Sequence, residues 1–481
     1  MKLSVHVVLH TDEGTDPVIR EVLTVQREAL TDQTLGLQLA EAKDLLEAVQ
    51  DTVVNAQVTQ ALVELAPCPH CGRPRRHKDS RDIVVRSLFG VLRLPSPRWW
   101  HCGCQPQPAA TFSPLAELLP ARTTPELTYL QARFAGLTAY GLSADLLGEL
   151  LPLGRRLHAT IVRRQTQAVG QRLDDELGDE HFSFIDTCQL DREQLPRPDL
   201  PLTVSLDGGY VHSASQRSRR DGWFEAIAGR VNPTDGPSKC FAYVQTYDTK
   251  PKRRLFELLK NQGMTANQQV TFLTDGGEDI RDLPRFLNPD SEHLLDWFHV
   301  TMRLTVMTNM AKSLHPPPPD PDLGLTAETA TKLVGEVRDD LKRLKWFLWH
   351  GNVFRALNTV QDIIMDLETL HPDDQPSKLL TAAREFDTYL RANAGTIPNY
   401  GERYRSGETI ASSPAESAVN QVISKRMVKK QQMRWSPRGA HLLLQVRTRV
   451  LNNDLATDFR RWYPGFTHKL ETAPNDLPVT A

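Results

Sequence analysis

Long apolar runs are missing from this 481-residue chain, and none approaches the ~18 residues that a membrane-spanning helix needs. The opening MKLSVHVVLHTDEG also lacks the apolar centre of a signal peptide. The expectation is a cytoplasmic protein with no membrane partner. Cysteine is sparse. Of six, Cys68, Cys71, Cys102 and Cys104 form the group CPHC…HCGC, and Cys188 and Cys240 stand apart. In a cytosolic chain that grouping argues against a disulfide scaffold and reads as metal ligation. Net charge is nearly absent too, at −2, which by itself argues against a nucleic-acid partner. Its distribution argues the other way. Between Ser417 and Asn453 there is no Asp or Glu, yet Lys425, Arg426, Lys429, Lys430, Arg434, Arg438, Arg447 and Arg449 all occur. A local basic face of that kind attracts phosphate even on a neutral chain.

The composition is otherwise that of a soluble protein, and the length allows about three domains with at least one sizeable α/β core. Residues 1–65 are expected to be helical, because the stretch 21–65 has helical periodicity and only Gly36 to interrupt it, which reads as two helices. Residues 66–110 carry the four cysteines around two β-like runs, IVVRSLFG and VLRLPSP. This is the pattern of a zinc ribbon, in which Zn²⁺ supplies most of the folding energy. His70, His77 and His101 lie close by as substitute ligands or bystanders. Residues 120–185 read as short helices joined by Gly-containing turns. Leu142–Arg164 fits a helix-turn-helix whose second helix, HATIVRRQTQ, would offer Arg163 and Arg164 to DNA; the alternative is a plain connector with solvated arginines.

From Leu202 the texture alternates. LTVSLDGGYV, DGWFEAIAGRV and CFAYVQTYD read as strands, PKRRLFELLKNQG as an amphipathic helix, and QQVTFLTDGG as a fourth strand. DIRDLPRFL reads as a short helix, EHLLDWFHV as a fifth strand, and the residues after it as a helix. The order βββαβαβα is that of the ribonuclease-H-like fold, so the fold class is α/β (α+β overall), with the core's first part at 200–311. Residues 312–400 have no strand signal and read as an all-helical insertion, with Trp346, Phe347 and Trp349 in its core. The final part of the core is 401–455, with a helix from about Pro414 started by Ser412 or Ser413, and a tail follows at 456–481.

Three carboxylates concentrate the chemistry. Asp207 in SLDGGYV and Asp275 in FLTDGGED each follow a buried-strand pattern and precede Gly-Gly, where a strand opens into a turn, and Glu416 in SPAESAV opens a helix. The topology places the first and fourth strands side by side, so the two aspartates would project from neighbouring strand ends. Hard oxygen ligands of this kind suit two Mg²⁺ (or Mn²⁺) ions, which can activate a water or 3′-hydroxyl and stabilise a leaving oxygen in phosphodiester cleavage. Each Gly-Gly would let a substrate strand approach closely. Asp296 and His299 in LLDWFHV read either as an auxiliary pair near the metals or as a structural pair at a strand end. Lys425, Arg426, Lys429, Lys430, Arg434, Arg438 and His441 read as phosphate contacts. Trp435 reads as core or as a platform for an unpaired base.

The segments SLDGGYV, FLTDGGEDI, HLLDWFHV and SPAESAVNQVISKRMVKKQQMRWSPRGAHLLLQVRTRVLN resemble bacterial DDE transposases of the ISKra4 family, with similarity to ISL3-type and Mutator-like enzymes. The resemblance runs from about Thr203 to Asn453, and its last segment is the most specific. It implies that Asp207, Asp275 and Glu416 are the DDE triad, with a helical insertion before the Glu. It also implies that double-stranded DNA, as element ends and target, is the partner, nicked at the ends and joined through the freed 3′-hydroxyl. Synapsis of two ends implies a dimer or larger homo-oligomer. A nuclease that does not join, or a transposase-derived regulator that binds a site without cleaving, are the alternatives.

Overall fold

The computed structural model of the chain describes residues 1–10, 17–105, 110–153, 157–181, 188–196, 202–214, 222–233, 236–277, 287, 291–319, 325–371, 377–411, 418–428 and 433–467. They form two compact units, Met1–Gln171 with Asn453–Ala481, and Arg172–Asn452. No helix among the described residues is long and apolar enough to cross a membrane.

The first unit opens with a β-hairpin, not a helix. Strands β1 (Lys2–Leu9) and β2 (Val18–Gln26) pair antiparallel. Residues 21–26, expected to be helical, are strand because VIREVLTVQ is rich in β-branched side chains and finds an antiparallel partner in KLSVHVVL. Helix α1 is single and long (Leu39–Leu65), started by a capping box between Gln38 and Glu41. Strands β3 (His77–Ser87), β4 (Gly90–Trp100) and β5 (Thr111–Phe112) form a second sheet. Val58 of α1 packs on it among Val85, Leu92, Leu94 and Leu115. Helices α2 (Pro114–Leu118), α3 (Pro125–Leu137), α4 (Tyr140–Leu150) and α5 (Ala159–Asp175) follow. The expected helix-turn-helix falls on α4 and α5, and residues 154–156 between them lie outside the described residues. The expected tail holds another helix, residues 455–462, whose Phe459 sits edge-on to Tyr129 of α3 at 5.3 Å.

The second unit begins with the end of α5 and the short α6 (Gln189–Glu193), then a five-stranded sheet: β6 (Leu202–His212), β7 (Trp223–Asn232), β8 (Lys239–Val244), β9 (Val270–Thr274) and β10 (Ser291–Leu295). In space the order is β10-β9-β6-β7-β8. β6, β7 and β8 are an antiparallel meander, while β9 and β10 run parallel to β6. The β-branched and apolar VTFLT of β9 is buried along its whole length, as befits a central parallel strand. Helix α7 (Pro251–Asn261) supplies Leu255 and Leu259 to a core with Val204, Leu206, Ile227 and Phe272.

Helix α8 (Trp297–Lys312) leaves β10 directly, capped by the Asp296 carboxylate, which accepts the Phe298 N–H at 2.9 Å. The helical insertion follows as α9 (Ala327–Trp349), α10 (Val353–Leu370) and α11 (Lys378–Ala392), with side-chain caps from Thr326, Asn352 and Ser377. It is not a separate body. Val300, Leu304 and Met307 of α8 share one core with Val334, Leu341, Ile363, Leu367 and Phe386. Phe347 and Trp349 pack against that core, but Trp346 is 62% exposed and meets the His350 ring at a tilt instead. A short α12 (Tyr400–Arg405), a π-helix (Asn420–Val428), α13 (Pro437–Leu451) and α14 (Leu455–Trp462, in the first unit) complete the chain.

α13 closes the open edge of β8. The Asn452 side chain accepts the Cys240 N–H and donates to the Cys240 carbonyl, both at 2.8 Å, replacing a strand partner. Beside it lies a buried polar network. Asp174, Asp248 and His441 have donor atoms at metal-ligand spacing and could hold an ion, but the Arg254 guanidinium already stands among them. It donates to Asp174 at 2.7 Å, to both oxygens of Asp248 at 2.9 and 3.0 Å, and to Gln445 at 2.7 Å. Both His441 nitrogens are also engaged, Nδ1 with the Val244 N–H and Nε2 with Asp174. Burial alone would raise the Asp174 carboxyl. Hydrogen bonds from His441 and Arg254 outweigh it and hold the group well below the usual carboxylate range.

The depressed pKa fixes a sign. Ionised Asp174 stabilises the fold fully above about pH 4, and that stabilisation is lost as pH falls toward its native value. Asp174→Asn is expected to cost about 1.5–3 kcal/mol at pH 7 and progressively less toward pH 3, read as melting temperature against pH. An equal deficit at both ends of that range would assign the effect to packing.

Candidate functional site

The strand register brings the predicted aspartates together. β6 and β9 pair from Leu202↔Val270 to Ser205↔Leu273, and continuing the same register by two residues sets Asp207 opposite Asp275. β9 and β10 pair up to Thr274↔Leu295, so the next step sets Asp275 opposite Asp296, where the Asp296 N–H still donates to the Thr274 carbonyl at 2.9 Å. Three aspartates thus stand side by side across three neighbouring parallel strands. Asp207 is not at a strand end, as expected from its Gly-Gly. β6 continues to His212 in its ladder with β7. The glycines serve close approach instead: a Cβ on Gly208 would collide with the Glu225 carboxylate, and one on Gly209 would press on Val419 and Ile423 at 3.1–3.2 Å. Gly276 does turn the chain, with φ of +86° over the Asn393 side chain.

Each carboxylate is locally oriented. The Gly208 N–H donates to Asp207 at 2.8 Å, and the Gly277 N–H to Asp275 at 3.0 Å. His299 lies one turn along α8, with Nε2 at 3.7 Å from the fully buried Asp296 carboxylate. Burial raises the Asp207 carboxyl above its usual range and Asp275 and Asp296 add to the rise, while a proton on His299 and the Gly208 N–H draw it down. The four side chains therefore act on one another electrostatically. Glu416 lies outside the described residues. Val419 and, in the π-helix, Ile423 lie over Gly209, two positions from Asp207.

Sequence reasoning gave the insertion no part in the site, yet it reaches in. The Tyr389 hydroxyl of α11 donates to the Asp275 carbonyl at 2.9 Å, and the Arg303 guanidinium of α8 lies 4.4 Å from the Tyr389 ring centroid. A lone Tyr in an amphipathic helix carries no local signal of such a role.

The four cysteines converge. Cys68 and Cys104 are 3.6 Å apart, Cys71 and Cys102 3.4 Å, and Cys71 and Cys104 3.6 Å between sulfurs. Four bonds of ~2.3 Å to a central metal give a tetrahedron with edges of ~3.8 Å, whereas a disulfide requires ~2.05 Å. Gly72, with φ of +68°, turns the first knuckle so that its N–H meets the Cys68 carbonyl at 2.8 Å. The backbone N–H of His70, helped by that of Cys71, lowers the Cys68 thiol to about 6, the protonation state a metal needs. His77 pairs with Ser80 and His101 with Gln105, and among the described residues the metal-spaced group contains the four cysteines without a histidine.

The basic residues divide. Arg163, Arg164, Lys425, Arg434 and Arg438 are exposed. Arg426 and His441 are 1% and 0% exposed, which takes both out of reach of a DNA phosphate. Arg426 lies over the Trp435 ring at 5.3 Å, and His441 belongs to the Asp174 network. Trp435 is core, its segment joined to the end of β6 by its own N–H to the His212 carbonyl at 2.8 Å, so it offers no platform for a base. Lys429 and Lys430 lie outside the described residues.

No protein-family model and no curated protein matches the sequence. Among solved structures, the Drosophila P element transposase strand transfer complex matches over 70% of this chain and 80% of that chain, with 10% sequence identity and a TM-score of 0.22. A score that low leaves fold and chemistry to be argued from the chain's own geometry.

The purified protein is expected to hold one metal ion at the four sulfurs, countable by elemental analysis. Cys68→Ser should release it and lower the melting temperature by several degrees, because a structural site contributes its binding energy to folding. Full metal retention in Cys68→Ser would remove that residue from the ligand set.

Proposed function

We propose that the protein is a metal-dependent DDE transposase related to the ISKra4 family, which cleaves DNA at the terminal inverted repeats of an insertion sequence and joins the freed 3′-hydroxyl to target DNA. The observation that carries this reading is the register that lines up Asp207 and Asp275 on adjacent parallel strands. The spatial order, third-second-first-fourth-fifth strand with only the second running against the other four, supports a ribonuclease-H-like core.

Asp207, Asp275 and Glu416 would hold two Mg²⁺ or Mn²⁺ ions. The donor set fits in kind: the carboxylates are hard oxygen ligands on neighbouring strands, and burial with neighbouring negative charge raises the Asp207 carboxyl, a condition that a divalent cation relieves. When bound, such ions activate the attacking oxygen and stabilise the leaving one. The protein's part is to fix the carboxylates by strand register and backbone N–H groups, and to hold His299 beside Asp207. Asp296 orients His299 from the helix cap, and His299 acts as an auxiliary residue toward the scissile phosphate.

Lys425, Lys429, Lys430, Arg434 and Arg438 supply phosphate contacts in the catalytic unit, and Arg163 and Arg164 supply them in the first unit. The four-cysteine cluster is a zinc ribbon serving end recognition. A dimer or larger assembly synapses two ends.

The test is a nicking assay on DNA bearing the inverted repeats that flank the coding region. Wild type is expected to nick in Mg²⁺ and to stop on chelation, and Asp207→Asn and Asp275→Asn to lose at least about a thousandfold in rate. Binding of the repeats without any nicking would favour a DNA-binding regulator. Undiminished nicking by Asp207→Asn would remove the triad assignment.

A further inference from the structure

Helix α8 carries a row of polar side chains along one face. Asp296 caps it, His299 follows at i+3, and Arg303 at i+7, the spacing that stacks side chains turn upon turn. The first two belong to the carboxylate site. Arg303 has no part in the functional reading so far.

Its setting is unusual for a surface arginine. Arg303 is exposed, and its guanidinium lies over the Tyr389 ring, 4.4 Å from the centroid. The Tyr389 hydroxyl is in turn anchored on the main-chain carbonyl of Asp275 at 2.9 Å. Among the described residues Arg303 makes no ion pair, although exposed arginines elsewhere in this unit do, as Arg384 does with Glu368 and Arg391 with Asp387. A cation fixed by stacking, not by a carboxylate, keeps its hydrogen-bonding edge open, because the ring takes one face of the planar group and leaves the N–H fork at the rim. That fork matches a phosphate.

We infer that Arg303 is a phosphate-binding residue of the catalytic site, held by Tyr389 one helical turn beyond His299, and that it grips the backbone of the DNA strand entering the carboxylate cluster. This rests on the transposase reading and adds a substrate contact to it. An acidic cluster repels a polyanion, so a fixed cation at its rim supplies attraction where the strand must come closest. Tyr389 acts as a positioning residue, since one side chain ties the guanidinium to the backbone of Asp275 and keeps phosphate grip and carboxylate in fixed relation.

The experiment uses full-length protein and a fluorescent duplex carrying the terminal repeat. Binding is read by anisotropy from about 50 to 200 mM salt, and nicking is read in Mg²⁺. Arg303→Gln is expected to weaken binding about tenfold at low salt and to make the salt slope shallower by about 0.9, the signature of one lost phosphate contact. Arg303→Lys should keep the slope, since it keeps the charge. Melting temperatures of both variants should stay close to wild type, as an exposed side chain with one ring contact and no ion pair among the described residues contributes little to folding. A purely structural clamp would shift the melting temperature of Arg303→Gln and leave the salt slope unchanged, and that result overturns the assignment. If wild type binds and nicks while Arg303→Gln keeps affinity and slope, the Arg303 contact alone falls. If wild type fails to bind the repeat, the functional reading falls and takes the contact with it.

Discussion

The candidate site depends on one register. Side chains in a strand alternate faces, so a slip of one residue between β6 and β9 would send Asp207 and Asp275 to opposite sides of the sheet. What prevents the slip is the burial of β9: VTFLT is enclosed along its whole length, with Phe272 in one core beside Val204 and Leu206. A displaced register would put Thr271 or Thr274 where Phe272 and Leu273 now pack, exchanging apolar contacts for buried hydroxyls. Hydrophobic packing one to five residues away from the carboxylates therefore sets their separation.

Gathering the carboxylates opposes folding, and the surroundings show how the cost is offset. Asp296 is fully buried but caps α8, so the helix N-terminus and the Phe298 N–H compensate its charge. Asp207 and Asp275 each accept a backbone N–H from the glycines that follow them. The insertion also holds the site from outside. Its core is continuous with α8, and α11 pins the Asp275 carbonyl through Tyr389 while Tyr400 binds the carbonyl of Leu295 at 2.7 Å. The helices between β10 and the π-helix thus stiffen the ends of the two strands that carry Asp275 and Asp296.

Much of this was legible in the sequence, for identifiable reasons. TVSLD and VTFLTD combine β-branched apolar runs with a terminal acid, and buried parallel strands leave that trace. The cysteine group was equally plain, because four soft ligands in two close pairs have few other uses. Gly208-Gly209 misled because Gly-Gly marks a turn or a close approach with the same letters, and here Glu225 and the π-helix are what approach. Residues 21–26 misled because a short apolar run fits both periods until its partner strand is known. Asp296 was ambiguous because its alignment with Asp275 depends on a pairing that no local pattern encodes.

The acid-free stretch from Ser417 to Asn453 has a second explanation besides DNA. Arg447 is buried and donates to the carbonyls of Val422 and Gln421 in the π-helix, the Val422 bond at 2.8 Å, while burial and the nearby charge of Arg426 lower its pKa to about 10. Wide π turns align their carbonyls poorly with their own N–H groups, and an arginine fork can meet two such acceptors at once. A carboxylate in this stretch would compete for the same guanidinium and pull it off the backbone. Inside, Arg447 takes backbone carbonyls as its acceptors in a stretch that offers it no carboxylate. Outside, exposed Lys425, Arg434 and Arg438 remain as a positive surface whose charge no neighbouring acid in sequence cancels. One compositional feature serves two physical ends. The buried arginine that ties the π-helix to α13 and the exposed cations lie in the same acid-free segment.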